Sequence, residues 1–441
     1  MRKRLALMLL CGALLAPAVA SAFRFTVLPR LSLSEEFTDN VDLSSEDPHW
    51  DFITSVTPGV TVGIQGRDRE ATLSYDPSLS IYARSGNGLA MRHAATLAAV
   101  NRFSKHTVLD VKDAFSWTDD PFVGRELSFT REGDPEQPPD ETRREGREPY
   151  WSNTAGVKLH HALGEKDSVF VSYTSSLLRN DDPEVEDSTK HTPSVGLTWW
   201  LGPRYGIETD FRFTRADFSE DTSPYNEFRL HGRFIRAFTR NLEGFVQYDH
   251  TLMDFKGETQ AGDDGADSED YTVYDGTVGV SYDLSETTFF TLSSGMFYRK
   301  PEESGGKAGY VVRGDMARKF SRGAVRLSGG TGYRNTFGGA ENLGFTEFYE
   351  GRLQAEYQFT RRLAATGMAG YTHNVYEDED DREDDIMTLQ AGLSYLVRPW
   401  LSTSLRYTYR DFQSTEPGDS YVDNRVTLSL TFAPTRPWFF E

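Results

Sequence analysis

Residues 227–252 read EFRLHGRFIRAFTRNLEGFVQYDHTL. Phe228, Leu230, Gly232 and Phe234 alternate with Arg229, His231, Arg233 and Ile235. After Thr239-Arg240-Asn241, Leu242, Gly244, Val246 and Tyr248 alternate with Glu243, Phe245, Gln247 and Asp249. A period of two over this length predicts strands with one apolar and one polar face. The three-residue connection can only reverse the chain, so the unit is an antiparallel hairpin. Each arm has about the 9–11 residues that a tilted strand needs to cross a bilayer.

The same unit recurs along the chain. Tight turns fall near Gly66, Lys105, Lys166, Pro203, Arg240, Glu286, Arg322, Arg361 and Pro399. Successive steps are 39, 61, 37, 37, 46, 36, 39 and 38 residues, the two long steps holding the two longest loops. Between the turns lie longer acidic connections, the longest being Asp119–Pro149. Such a repeat length also suits propeller blades. Blades, however, would not keep short turns at one end and long acidic loops at the other. That asymmetry predicts an all-β, transmembrane, antiparallel up-and-down barrel with short periplasmic turns and long extracellular loops. Nine turns and ten longer connections give twenty strands, with eighteen as the alternative count. A soluble β-solenoid or sandwich array is the competing architecture.

The leader and the composition agree with that placement. Met1-Arg2-Lys3-Arg4 is basic, Leu5–Ala16 is apolar, and Ala20-Ser21-Ala22 is a small-residue cleavage site. This is the pattern of a signal peptide, so residues 1–22 are expected to be removed, leaving a barrel over 23–432 and a tail over 433–441. Cys11 lies in the leader, and Leu10 before it is too large for a lipoprotein box. The processed chain then has no thiol, disulfide or cysteine-based metal site. Net charge is −20, or −23 once Arg2, Lys3 and Arg4 are gone, which argues against nucleic acid as a partner. The low mean hydropathy is no objection, because a barrel strand offers lipid only every second residue.

The polar face carries charge from nearly every strand. Arg212, Arg229, Arg233, Asp249, Arg313, Arg326, Arg352, Glu356 and Arg406 are the candidate lumen-lining residues. Their strands place Phe211, Val246, Tyr248, Val278, Leu327, Leu353 and Leu428 on the other face, toward lipid. Arg229 and Arg233, opposite Glu208, Asp210 and Arg212, form either an arginine constriction favouring anionic solutes or a neutralised ladder that braces the wall. Aromatics near strand ends, among them Trp151, Trp199, Trp400 and Tyr282, suit interfacial girdles.

LPRLSLSEEFTDNV (28–41), DFITSVTPGVTV (51–62), ATLSYDPSLSIY (71–82) and the closing NRVTLSLTF (424–432) resemble the outer-membrane barrel family called β-barrel porin 2. The resemblance implies an outer-membrane barrel, and a channel or a component of exopolysaccharide export, with some members encoded beside exosortase systems. It brings no catalytic motif and no cofactor. Barrel chains commonly finish on an aromatic residue; here both Phe432 and Phe440 qualify as the residue recognised by the barrel-assembly machinery.

Little else points to chemistry. Adjacent His160 and His161 point to opposite faces of a strand and cannot share a metal. The acidic runs Asp263–Asp270 and Glu377–Asp385 offer oxygen ligands for Ca²⁺ or for cation bridges to lipopolysaccharide, but lack EF-hand spacing and suit a solvated loop better. A hydrolase would need a base near an outer strand end, where His250 and His373 lie. Three functions therefore stand in order: a channel or conduit for solutes or polysaccharide, a non-conducting scaffold barrel plugged by loops and tied to surface glycan, and a barrel hydrolase. The expected partners are outer-membrane lipid and lipopolysaccharide, the assembly machinery and polysaccharide export components.

Overall fold

The computed structural model describes residues 23–85, 88–121, 146–183, 185–219, 222–256, 269–302, 305–336, 343–377 and 382–440. The leader, most of the 119–149 loop, and residues 263–268 and 378–381 of the two acidic runs lie outside the described residues. The first strands are β1 (Arg24–Thr38), β2 (Asp51–Gln65), β3 (Arg69–Tyr82), β4 (Leu89–Arg102) and β5 (Thr107–Thr118). They are followed by β6 (Tyr150–Ala162), β7 (Ser168–Asn180), β8 (Ser188–Trp200), β9 (Tyr205–Phe218) and β10 (Tyr225–Ala237). Next come β11 (Leu242–Phe255), β12 (Tyr271–Ser285), β13 (Thr288–Pro301), β14 (Lys307–Phe320) and β15 (Gly323–Thr336). The chain ends with β16 (Gly344–Gln358), β17 (Leu363–Tyr376), β18 (Glu383–Arg398), β19 (Leu401–Ser414), β20 (Tyr421–Phe432) and the short β21 (Trp438–Phe440).

Each of the first nineteen strands pairs antiparallel with its successor, and β20 pairs back onto β1. The result is a closed barrel of twenty strands, matching the count of turns. The alternation seen in residues 227–252 sets the register. Phe234 opposes Val246 and Arg233 opposes Gln247, so one face of the hairpin stays apolar and the other polar.

The apolar face is the outside. Val246, Val278, Met296 and Leu327 are each more than half exposed on it, as part of a continuous band around the barrel. Water would not tolerate an apolar surface of that extent, whereas acyl chains match it. Tyr and His pairs crowd the outward face toward its extracellular rim. Tyr75 meets His93 Nδ1 at 2.8 Å and Tyr173 meets His191 Nδ1 at 2.7 Å. Inside, hydroxyls pair across strands, as Ser55–Ser80 at 2.8 Å and Ser172–Ser194 at 2.6 Å.

Two irregularities of the barrel wall bear on how it closes. β1 meets β20 only from Leu31↔Phe432 to Thr38↔Arg425. Below that, two prolines, Pro434 and Pro437, interrupt the ladder because neither can donate to it. The chain then resumes as β21, with Val27↔Trp438 and Phe25↔Phe440. The segment read from sequence as a tail thus holds a strand that completes the periplasmic half of the closure. The second irregularity is between β14 and β15. Their pairing stops at Val312↔Thr331, although β14 runs on to Lys307 and β15 to Thr336.

Candidate functional site

The inward side of β9 to β11 is built around Asp249, whose side chain is 1% exposed. It accepts from Gln247 Nε2 at 2.6 Å, meets His231 Nδ1 at 2.9 Å and pairs with Arg229 Nη2 at 3.2 Å. The next inward residue round the wall, Asp275 on β12, faces Arg313 of β14. Arg233 pairs with Glu208 at 3.8 Å and lies 3.7 Å over the Phe245 ring. Arg326 grips Asp315 with two bonds, 3.0 and 2.8 Å long. These arginines are neutralised where they stand.

A second network spans β1, β3, β4 and β20 on the far wall. Arg92 donates to Asp119 at 2.6 Å and to the Tyr82 hydroxyl at 2.7 Å. Arg425 pairs with Asp423 at 2.5 Å and with Asp120 at 3.1 Å, while Thr38 donates to Asp423 at 2.6 Å. Arg147, at the end of the longest loop, reaches in to donate to the Val41 carbonyl at 2.9 Å and to Tyr82 at 2.9 Å. The β1–β2 connection supplies the other half of this closure. Val41 packs on Ile53 and Tyr82, and Leu43 packs on Ile386, Phe412 and Tyr421. Leu43 takes a φ of 54°, a left-handed geometry costly for a residue with a γ-branched side chain, which its burial offsets.

The opposite side of the extracellular mouth is filled by the end of the β15–β16 hairpin. Asn335 of β15 accepts from the Tyr271 hydroxyl at 2.7 Å and approaches Met253 of β11 at 3.5 Å. Tyr333 lies 4.8 Å from the Phe297 ring and Phe345 lies 5.7 Å from Tyr271. Tyr271, Phe297 and Met253 are inward residues, so the hairpin has left the wall and lies across the inner faces of β11 to β13. Phe345, Tyr271, Val273, Met253, Phe297 and Val311 are buried together there. A charged cluster caps them: Glu347 pairs with Lys307 at 3.0 Å, Arg299 pairs with Glu377 at 3.0 Å, and Lys307 also contacts Glu377. Burial alone would raise the Glu377 carboxyl, but Lys307 first, then Glu347 and Arg299, hold it below its ordinary value.

All nine candidate residues face inward. Arg229, Arg233, Asp249 and Arg326 are paired as above. Arg212, Arg352 and Arg406 have no ion-pair or hydrogen-bond partner among the described residues, and neither does Glu356. Arg352 borders a cavity of about 50 Å³ with Ser328, Glu350 and Thr372. That volume holds a water or two and no organic substrate. The arginines drawn together by the hairpin at 227–252 are therefore the braced ones, and the free ones lie on β9, β16 and β19.

The hydrolase bases can be tested against geometry. His373 Nδ1 meets Asp385 at 2.9 Å, as an oriented base would, but Asp385 also accepts from the Tyr371 hydroxyl, the His373 ring lies against Tyr349, and among the described residues no serine bonds to it. Among the described residues His250 contacts Tyr248 and Tyr274 and no carboxylate. Among the described residues no three His, Cys, Asp or Glu side chains gather as metal ligands.

The inward-packed apolar residues escaped the sequence reading. Their signal was a break in phase. Tyr271 and Val273 stand in register with Asp275, and Phe297 with Arg299, where alternation calls for polar residues.

A family model described as "Putative beta-barrel porin 2" matches residues 347–433, which is 87 of 441 residues. The match takes in the closing NRVTLSLTF but not the opening strands on which the resemblance was chiefly read. No curated protein matches the chain. Among solved structures, it is similar to OpdK of Pseudomonas aeruginosa, crystallised with vanillate, at 10% identity and a TM-score of 0.44, over 92% of this chain and 99% of that one. OccAB4 of Acinetobacter baumannii is similar at 11% identity and a TM-score of 0.42, over 94% and 99%. OprD of Pseudomonas aeruginosa is similar at 11% identity and a TM-score of 0.39, over 92% and 95%. At this distance no substrate passes from them to this chain.

Proposed function

We propose that the chain is an outer-membrane channel with a charged aqueous bore and an outer mouth held shut by its own inward-folded segments. The observation that carries this is the pairing of an apolar outer band with an inner wall on which Arg212, Arg352 and Arg406 stand without counterions among the described residues. A barrel built only as a scaffold gains nothing from unneutralised charge in its bore, whereas a conduit for anions does. A finer form of the reading makes the solute an acidic glycan, delivered by polysaccharide export components at the periplasmic side. It is supported by the same arginines and by the family resemblance. The scaffold reading draws on a different observation, the filled extracellular mouth.

Reconstitution in planar bilayers separates the two. A channel shows discrete conductance steps, and replacing Arg212, Arg352 and Arg406 together by Ala moves its reversal potential toward cation preference. A barrel that inserts and never conducts, even with the β15–β16 contacts removed, is the scaffold.

A further inference from the structure

The wall parts between β14 and β15 above Val312↔Thr331, and this opening faces the extracellular half of the lipid-facing surface. Gly330 sits at the foot of the split, where a Cβ would collide with the Val312 carbonyl. Close approach of the two strands thus ends within one residue of the point where they separate. Above it, β14 keeps the apolar outward face of a membrane strand, with Tyr310 71% exposed. What closes the gap is not a sheet ladder but side chains: the Tyr333–Phe297 and Phe345–Tyr271 ring contacts and the Lys307, Arg299, Glu347 and Glu377 cluster.

We infer that this split is a lateral gate through which an amphiphile with an acyl chain and an anionic head passes between the lumen and the outer leaflet. The inference needs the barrel to span a bilayer but not the axial route proposed above. Side-chain contacts are severed piecemeal, whereas a ladder must lose its backbone bonds together, so this is the place where the wall can open with its other strands intact. The chemistry of the slot selects the ligand. Moving the hairpin uncovers Tyr271, Phe297 and Val311, an apolar lining for a chain. It also draws away Glu347, and with it Glu377, whose amide is bonded to the Phe345 carbonyl, leaving Lys307 at the rim for an anionic head.

Two measurements test this on the full-length protein in nanodiscs. Nitroxides on Tyr310→Cys of β14 and Arg334→Cys of β15 report the distance across the split, and the processed chain adds no native thiol. With Glu347→Gln and Glu377→Gln together, a second, longer distance is expected to gain about tenfold in population, the shift that about 1.4 kcal/mol of lost latch energy produces. One narrow distance, unchanged by removal of the latch, overturns the gate. For the ligand, a photoreactive benzoylphenylalanine at position 345 is irradiated in discs of acyl-chain phospholipid. The latch-free protein is expected to form lipid adducts, and the protein cross-linked through Lys307→Cys and Glu347→Cys is expected to lose them. Equal adduct yield in both, or a widened split with none, overturns the assignment to an amphiphile. Ionic conductance recorded on the same proteins reports the axial channel separately.

Discussion

The Tyr271 hydroxyl on β12 donates to the Asn335 side chain on β15 at 2.7 Å, although β13 and β14 lie between them in the wall. Such a bond exists only if the end of β15 has left its place in the cylinder and crossed the bore. The outward parity of Phe345 and Tyr333 then becomes useful: the face that would meet lipid meets Phe297 and Tyr271 instead. The hairpin end, packed on the inner face of the wall, is the segment proposed above to close the outer mouth.

Loosening that plug is predicted to open the bore. Phe345 is fully buried, and truncating such a ring costs about 3–5 kcal/mol. Most of that loss falls on the plugged arrangement, because the rest of the barrel keeps its ladder. Phe345→Ala should therefore show more frequent and longer conductance steps than the parent in planar bilayers, with the barrel still resistant to detergent. Unaltered gating would mean that the plug does not obstruct flow.

Asp249 is predicted to matter for stability more than for selectivity. Its removal strands Arg229 and leaves Gln247 and His231 without their shared acceptor. Hydrogen bonds to a charged group are worth about 1.5–3 kcal/mol, and Asp249→Ala should lower the unfolding free energy by about that much. Denaturant unfolding in detergent measures it. Replacing both members of each pair by Ala, Arg229 with Asp249 and Arg233 with Glu208, should leave the reversal potential nearly unchanged, since each pair carries no net charge. A larger change from these paired deletions than from Arg212, Arg352 and Arg406 would assign selectivity to the braced arginines.

The barrel was legible because its period-two signal is local. Val246 and Gln247 point opposite ways whatever the rest of the chain does, and every turn near Arg240 or Arg322 repeats that statement. Which arginine is braced was not legible. Arg229 and Arg212 are cross-strand neighbours with the same inward aspect, yet among the described residues only Arg229 of the two has a carboxylate within reach, and that carboxylate comes from the strand on its other side. The inward fold of Asn335 was hidden for the same reason, since its partners lie 64 and 82 residues away in sequence.

Acid is predicted to release the β15–β16 end. Glu377 is held below its ordinary value of 4.5 by Lys307, with Glu347 and Arg299 also facing it. A carboxyl that ionises more readily folded than unfolded contributes fully above its unfolded pKa, and the contribution disappears as pH falls through the folded value. The contribution of Glu377 to plugging should thus be complete above its ordinary value and weaken as pH falls below it. Conductance recorded against pH measures this, with Glu377→Gln flattening the acid limb. An acid limb of equal depth in the variant would move the effect to another carboxylate.

Deleting residues 433–441 is predicted to impair assembly rather than gating. Phe25, Thr26 and Val27 would lose Phe440, Phe439 and Trp438 as ladder partners, leaving the periplasmic half of β1 an open edge beside lipid. Unsatisfied backbone groups in hydrocarbon cost several kcal/mol each, so the truncated chain should reach the membrane in much lower yield and become protease-sensitive near Arg24. Phe440→Ala keeps the backbone pairing and removes only the terminal ring. If Phe440→Ala assembles poorly, the ring is what assembly reads. If it assembles well while the deletion fails, closure of the β1 edge is the essential contribution, and Phe432 remains the aromatic residue at the end of the last full strand.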